Sequence, residues 1–341
     1  MLKRFTLHYL IKATISFLAA GSVISSSSLA LAADSSSDTY GNHPEAKRFV
    51  DKMVVEHGFD RGYVQRLMNS AQRKQSVLDA IARPAEKTKT WKEYRKIFVN
   101  KTRAQQGIEF MKTHAKTLTR AEREFGVPAE IISAIIGVET RYGRHKGSYR
   151  VLDSLATLGF DYPPRASFFS GQLEQYLLLV KEQKLDPRTI KGSYAGAMGY
   201  GQFIPSSYRH YAIDFDGDGV ADIVNNPVDA IGSVANYFKS HGWKPGQPIT
   251  TTASVSIDHK ADVANQKLTP KLTVTELQQQ GYQSSVDIEE NQLATAMRLQ
   301  GNEGSEYWLG LQNFYVITRY NHSRLYAMAV YQLSEELKGA N

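Results

Sequence analysis

The 341-residue sequence contains no cysteine. That excludes a disulfide framework, a thiolate metal site and an anchor built on an acylated cysteine. Two hydrolase signatures are also missing. The nine histidines are scattered without an HExxH, and no GxSxG occurs, so the zinc-protease and serine-hydrolase readings fall away. No dense run of Lys and Arg appears, which argues against nucleic acid as a partner. The formal net charge is +7; Lys3, Arg4 and Lys12 supply three of it with no acid in residues 1–32, leaving +4 for the remainder. Such a balance gives only weak attraction to an acidic polymer or surface.

What the chain does have is apolar material: 42% hydrophobic and 11% aromatic residues, enough to bury a core in one large or two modest domains. The opening "MLKRFTLHYLIKATISFLAAGSVISSSSLALAAD" puts basic residues before an apolar stretch and ends on Ala30-Leu31-Ala32, which predicts a secretory leader over residues 1–32. A soluble mature protein outside the cytoplasm, in the periplasm, is the corresponding expectation. Residues 33–42, "ADSSSDTYGN", read as a polar tail. Helical spacing runs from about His43 to Gly126, and further helices are expected at 167–183, 227–241 and 323–338. Between roughly 247 and 320, "PITTTASVSI", "KLTVTEL" and "FYVITRY" alternate β-branched and polar residues, so this part reads as strand-rich. The expected organisation is a helical part and catalytic core over 43–246, a β-rich insertion over 247–310, and a segment over 311–341 returning to the core.

Four segments carry candidate chemistry. In "IISAIIGVETRYG", residues 131–143, Pro128 suits the first turn of a helix on which Ile132, Ile135 and Ile136 share a face with Glu139. A carboxylate desolvated against aliphatic side chains has its pKa raised, as a general acid requires. Read alone, the segment better suits a partly buried Glu paired with Arg141 or Arg144. In "GSYAGAMGYGQFIPSSY", residues 192–208, the glycines allow close backbone approach to a ligand, and Gln202 supplies a donor and an acceptor. A tight turn is the other reading, and the lysine of a phosphate loop is missing.

In "DFDGDGVADIVNNPVD", residues 214–229, Asp214, Asp216 and Asp218 with the Val220 carbonyl match the first half of an EF-hand loop and predict bound Ca2+ in a structural role. Position twelve of that pattern is Asn225, so the remaining carboxylate has to come from elsewhere, with Asp229 nearest. In "RYNHSRLYAMAVYQL", Tyr320, Asn321 and Tyr326 offer aromatic and amide groups for a cleft, although tyrosines at helical spacing more often serve a core or its rim. No organic cofactor motif is found.

Taken in order, "GVETRYG", "SFFSGQLEQYL", "KGSYAGAMGYGQFIPSSY", "DFDGDG", "PVDAIGSVANYFKSHGW" and "RYNHSRLYAMAV" resemble the membrane-bound lytic transglycosylase B family of bacterial murein-cleaving enzymes, from about Lys87 onward. The resemblance implies an α+β, mainly α fold: a lysozyme-like catalytic core with a helical N-terminal part and a small β-rich insertion. It implies cleavage of the β-1,4 bond between N-acetylmuramic acid and N-acetylglucosamine of peptidoglycan, with 1,6-anhydromuramoyl products and Glu139 as the single acid/base. That accounts for the lack of a second carboxylate beside the first, since the substrate's own C6 hydroxyl replaces the nucleophile or activated water of a two-carboxylate glycosidase.

Carried over by position, Ser193 and Gln202 would contact sugar near the scissile bond and Phe203 would wall the cleft. Tyr94, Tyr237, Tyr320, Asn321 and Tyr326 would complete a glycan-binding face, and Arg165 would hold peptide or sugar groups. Asp214, Asp216, Asp218, Val220 and Asp229 would hold the ion. Where the family commonly has adjacent arginines after "YP", this chain has Pro164 and Arg165, and its calcium loop is one residue longer before Asp229. The expected partner is the peptidoglycan glycan strand, with cell-wall synthesis or division proteins as further candidates and a monomeric state. The competing readings are a hydrolytic muramidase using the same acid and a non-catalytic peptidoglycan-binding envelope protein.

Overall fold

The computed structural model describes residues 39–82 and 89–338. The expected leader at 1–32 and all but the end of the tail at 33–42 lie outside the described residues. The chain divides into two compact units, each assembled from separated pieces: among the described residues, one comprises 39–82 with 146–210, the other 89–145 with 211–338.

The first of these units is helical apart from one two-stranded pairing. Helix α1 (Pro44–His57) starts on a proline and stops at Gly58, and α2 (Arg61–Ser70) is capped by Asp60, which accepts the Tyr63 N–H at 2.6 Å. Helix α3 (Gln75–Ala82) completes the N-terminal piece. Strands β1 (Tyr149–Arg150) and β2 (Lys191–Gly192) pair antiparallel around α8 (Val151–Asp161) and α9 (Ala166–Glu182). Every residue of α8 from Val151 to Phe160 is buried, so this helix is the centre of the unit. Its one carboxylate in that stretch, Asp153, is satisfied by the Gln72 N–H at 2.9 Å and by Arg150 at 2.5 Å. Helix α10 (Pro205–Tyr211) ends the unit.

The other unit contains α4 (Trp91–Phe98), α5 (Lys101–Thr113), α6 (Ala115–Phe125), α7 (Ala129–Thr140) and α11 (Pro227–Ser240). A five-stranded antiparallel sheet follows, in the order β4-β6-β7-β3-β5. Its strands are β3 (Thr250–Val255), β4 (Leu272–Thr273), β5 (Tyr282–Ser284), β6 (Leu293–Gln300) and β7 (Ser305–Gly310). Helix α12 (Val274–Gln279) lies against it, with Val274, Leu277, Tyr282, Ala296 and Leu309 forming a small core of their own. Helices α13 (Gln312–Tyr320) and α14 (Arg324–Lys338) close the chain, and α14 packs on α7.

Of the segments expected as strands, "KLTVTEL" is a strand over Leu272–Thr273 with its remainder opening α12, and "FYVITRY" is a helix. "VTELQQ" forms α12 because Thr273 accepts the Glu276 N–H at 3.1 Å while Glu276 accepts the Thr273 N–H at 2.7 Å, a capping box that starts a helix whatever the β propensity of its threonines. "FYVITRY" lies in α13, where Phe314, Val316, Ile317, Thr318 and Tyr320 are all buried, so the helix is covered on most sides and its sequence shows no clear period.

Candidate active site

Helix α7 is the most deeply placed element near the predicted acid: Ile131 through Val138 are all buried, and Glu139 is half-buried in its last turn. The helix stops because Arg141 and Tyr142 take left-handed conformations (φ 52° and 59°), and their N–H groups return to the carbonyls of Gly137 and Ile136 at 3.1 and 3.2 Å. Two successive non-glycine residues in that region store strain, as functional sites often do. Gly137 is required here. A Cβ at this position would lie 2.6 Å from the Tyr142 ring, which folds back beneath the helix. The basic residues that offered Glu139 a bland ion pair point elsewhere: Arg141 Nε donates to Gln106 at 2.7 Å, and Arg144 reaches Glu109 at 3.8 Å.

Glu139 instead meets a layer of tyrosines. The Tyr326 hydroxyl, brought by α14, donates to Glu139 Oε1 at 2.7 Å. Tyr320 from α13 and Tyr237 from α11 stand edge to face with ring centres 4.8 Å apart, and the Tyr237 hydroxyl donates to the Arg319 carbonyl at 2.6 Å. Burial pushes Tyr320 and Tyr326 well above the ordinary tyrosine range, and the Glu139 charge adds to the shift. Tyr237 is raised for the same main reason. All three therefore stay neutral and can only donate from their hydroxyls or accept. Tyr94 on α4 also acts on Tyr326 electrostatically.

The expected glycan-binding face needs correction in its form. Tyr94, Tyr237, Tyr320, Asn321 and Tyr326 are each at most 1% exposed. The four tyrosine rings are packed inside the protein, so they do not present open faces for sugar stacking, and the Tyr326 hydroxyl is spent on Glu139.

The other unit carries the remaining predicted residues. Ser193 is buried and accepts the Ala195 and Ala197 N–H groups at 3.2 and 3.0 Å, holding its own turn together. That turn needs Gly196, at φ 76°, where a side chain would run into Leu155. Gln202, a non-glycine residue at φ 50°, donates from Nε2 to the carbonyls of Gly199 and Lys146 at 2.9 and 3.2 Å. Its Oε1 is buried with no hydrogen-bond partner among the described residues, which leaves an acceptor for a ligand or water. Phe203 is buried and pairs its backbone with Met198 in both directions at 2.9 Å. Arg165 lies over the rings of Phe168 and Phe169 at 4.3 and 5.0 Å, is lowered in pKa by burial, and interacts electrostatically with Tyr194.

The acidic loop belongs to the unit of Glu139. Carboxylate oxygens of Asp214, Asp216 and Asp229 lie within 4.8 Å of one another. Asp229, wholly buried in the first turn of α11, accepts the Phe215 N–H at 2.7 Å and the Asp222 N–H at 2.8 Å, which fastens the loop to the helix. Burial, followed by the neighbouring charge of Asp216, raises its pKa against those hydrogen bonds. Asp218 is not in the cluster of three, its Oδ1 accepting the Val220 N–H at 2.9 Å. Asn225 turns its amide to Asp222 at 3.1 Å. Convergent carboxylates repel unless a cation sits between them, and an all-oxygen set fits a hard ion such as Ca2+. Sequence reasoning missed Arg120, which donates to the Phe215 carbonyl and stacks 3.6 Å from the Phe215 ring, clamping the residue between two candidate ligands. It also missed Tyr142, although "GVETRYG" contains it.

Residues 41–335 match the sequence profile of the transglycosylase SLT domain. The chain is 46% identical over 305 residues to membrane-bound lytic murein transglycosylase B of Escherichia coli K12, an alignment covering 87% of this chain and 83% of that protein. Among solved structures it resembles the catenated lytic transglycosylase SltB1 of Pseudomonas aeruginosa, at 52% identity and a TM-score of 0.85 over 88% of this chain and 99% of that one. It also resembles the Escherichia coli lytic transglycosylase Slt35 in complex with calcium, at 46% identity and a TM-score of 0.81 over 88% and 94%. The chain belongs to the SLT-domain family of lytic murein transglycosylases, enzymes that act on peptidoglycan.

Proposed function

We propose that Glu139 is the single acid and base of this lytic transglycosylase. Its protonated carboxyl donates to the glycosidic oxygen between N-acetylmuramic acid and N-acetylglucosamine as the bond from that oxygen to the anomeric carbon breaks. The resulting carboxylate then takes the proton of the C6 hydroxyl while that oxygen closes on the anomeric carbon. The product is a 1,6-anhydromuramoyl end, no water is consumed, and Glu139 regains its proton. The observation that carries this reading is the Tyr326 hydroxyl 2.7 Å from Glu139 Oε1, which orients the carboxyl at the end of α7. Within their own unit, Gln202, whose Oε1 is buried without a partner among the described residues, and Ser193 are the candidate sugar contacts, with Phe203 and Arg165 as further candidates.

Glu139→Gln keeps size and removes the proton cycle. Loss of turnover on purified sacculi with an unchanged melting temperature supports the assignment, and activity within tenfold of wild type overturns it.

We also assign Ca2+ to Asp214, Asp216 and Asp229, with Asp218 and the Val220 carbonyl as further candidates. Bound there, the ion neutralises the converging carboxylates. The leader pattern of residues 1–32 supports placing the mature enzyme in the periplasm, and among the described residues no helix is long and apolar enough to cross a membrane.

A further inference from the structure

A cavity in the unit of Glu139 has chemistry that the reaction above does not use. It measures about 540 Å3 and opens between α4, β7 and α14, lined by Arg95, Glu306, Trp308, Tyr331, Glu335 and Glu336. The placement follows from periodicity. Glu306 and Trp308 alternate onto one face of β7, and Tyr331 and Glu335 stack four apart on α14 with Glu336 beside them. The Trp308 and Tyr331 rings meet edge to face at 6.3 Å and make an aromatic wall. Arg95 is fixed at the rim, its Nε donating to Gln332 at 2.6 Å. The Trp308 Nε1 is buried without a hydrogen-bond partner among the described residues.

Three carboxylates against one guanidinium leave the cavity negative, and aromatic faces beside carboxylates are the materials that hold an ammonium group. The fixed arginine adds a place for a carboxylate next to that ammonium. A neutral sugar needs neither. We propose that this cavity binds the murein peptide stem through a primary ammonium and its neighbouring carboxylate, the pair carried on the side chain of a diamino acid. The ammonium sits between the glutamates and the Trp308 face, and the carboxylate meets Arg95. The stem would thereby hold the strand on α14, the helix that also carries Tyr326, and add affinity for peptide-bearing over bare glycan. This rests on murein being the substrate, but not on Glu139 being the acid.

The test is calorimetric titration of the calcium-loaded mature chain with the tripeptide L-Ala-γ-D-Glu-meso-diaminopimelate, and with the same peptide acetylated on its side-chain amine. Glu335 and Glu336 are exposed on α14, so a Glu335→Gln, Glu336→Gln double variant keeps the fold. Saturable binding that falls about tenfold in the double variant, and about as much on acetylation, is the expected result, the order of losing two partly exposed ion pairs. Glu139→Gln should bind as wild type does, which separates this site from the acid. On sacculi the double variant should raise KM with kcat unchanged, and on strands stripped of peptide it should match wild type. Binding that is absent at millimolar peptide, or indifferent to both the variant and acetylation, overturns the proposal.

Discussion

Replacing Tyr326 by Phe removes one atom and with it the hydroxyl that donates to Glu139 Oε1 at 2.7 Å. The ring is wholly buried, so Phe fills the same space and the packing between α14 and α7 is kept. A hydrogen bond to a charged group contributes about 1.5–3 kcal/mol, which corresponds to roughly 10- to 150-fold in rate if the bond is at full strength in the transition state. The loss should appear in kcat, because the hydroxyl orients the acid and does not touch the substrate. The pH profile should move as well. Donation to a carboxylate favours its charged form, so without it Glu139 holds its proton to higher pH and the descending limb of kcat shifts upward. Initial rates of soluble muropeptide release from sacculi across pH 4–9, with thermal melts of both proteins, make the measurement. A rate within about twofold of wild type and an unmoved limb would refute the orienting role.

Gly137→Ala places a methyl 2.6 Å from the Tyr142 ring, and overpacking at such a site costs about 1–3 kcal/mol, to be seen as a lowered midpoint in urea. Arg120→Met frees the Phe215 carbonyl and ring, so the calcium loop is less preorganised; the Kd read by competition against terbium luminescence should weaken while far-UV circular dichroism stays the same. Tyr176, Tyr237, Tyr320 and Tyr326 have pKa values raised mainly by burial. The unfolded chain releases their protons near pH 10 and the folded one does not, so this contribution is intact below pH 10 and is lost as pH rises beyond it. The expected slope is about 1.4 kcal/mol per pH unit for each such tyrosine. Urea midpoints that stay level between pH 9.5 and 11 would contradict it.

The apolar run of α7 closing on one carboxylate also suited an ion-paired glutamate, and only the ordered set of motifs along the chain singled out Glu139. What the run could not reveal is Tyr326, which lies 187 positions away and meets Glu139 only through the packing of α14 on α7. The tyrosines near the C-terminus were visible as a stripe, but spacing does not say whether a stripe faces a cleft or a core, and here the rings are inside. In the acidic loop, local alternation identified Asp214 and Asp216, whereas Asp229 was reached by proximity and Asp218 falls outside the cluster of three. The threonines and valines of α12 and α13 misled because β propensity reports side-chain packing on a pleated surface; a capping box overrides it in α12, and α13 is buried on most sides and so hides its helical period. Two modest domains were allowed by length, but not which pieces make them, since each unit joins pieces separated by more than sixty residues and no local signal marks the return of the chain.

Mass spectrometry of the products released from purified sacculi, wild type against Glu139→Gln, tests the central claim most directly. Anhydromuropeptides from the wild type and none from the variant are the predicted result. Wild-type products heavier by one water, with reducing muramic acid ends, would mean that water and not the C6 hydroxyl attacks the anomeric carbon, and anhydromuropeptides from both proteins would remove Glu139 from the reaction.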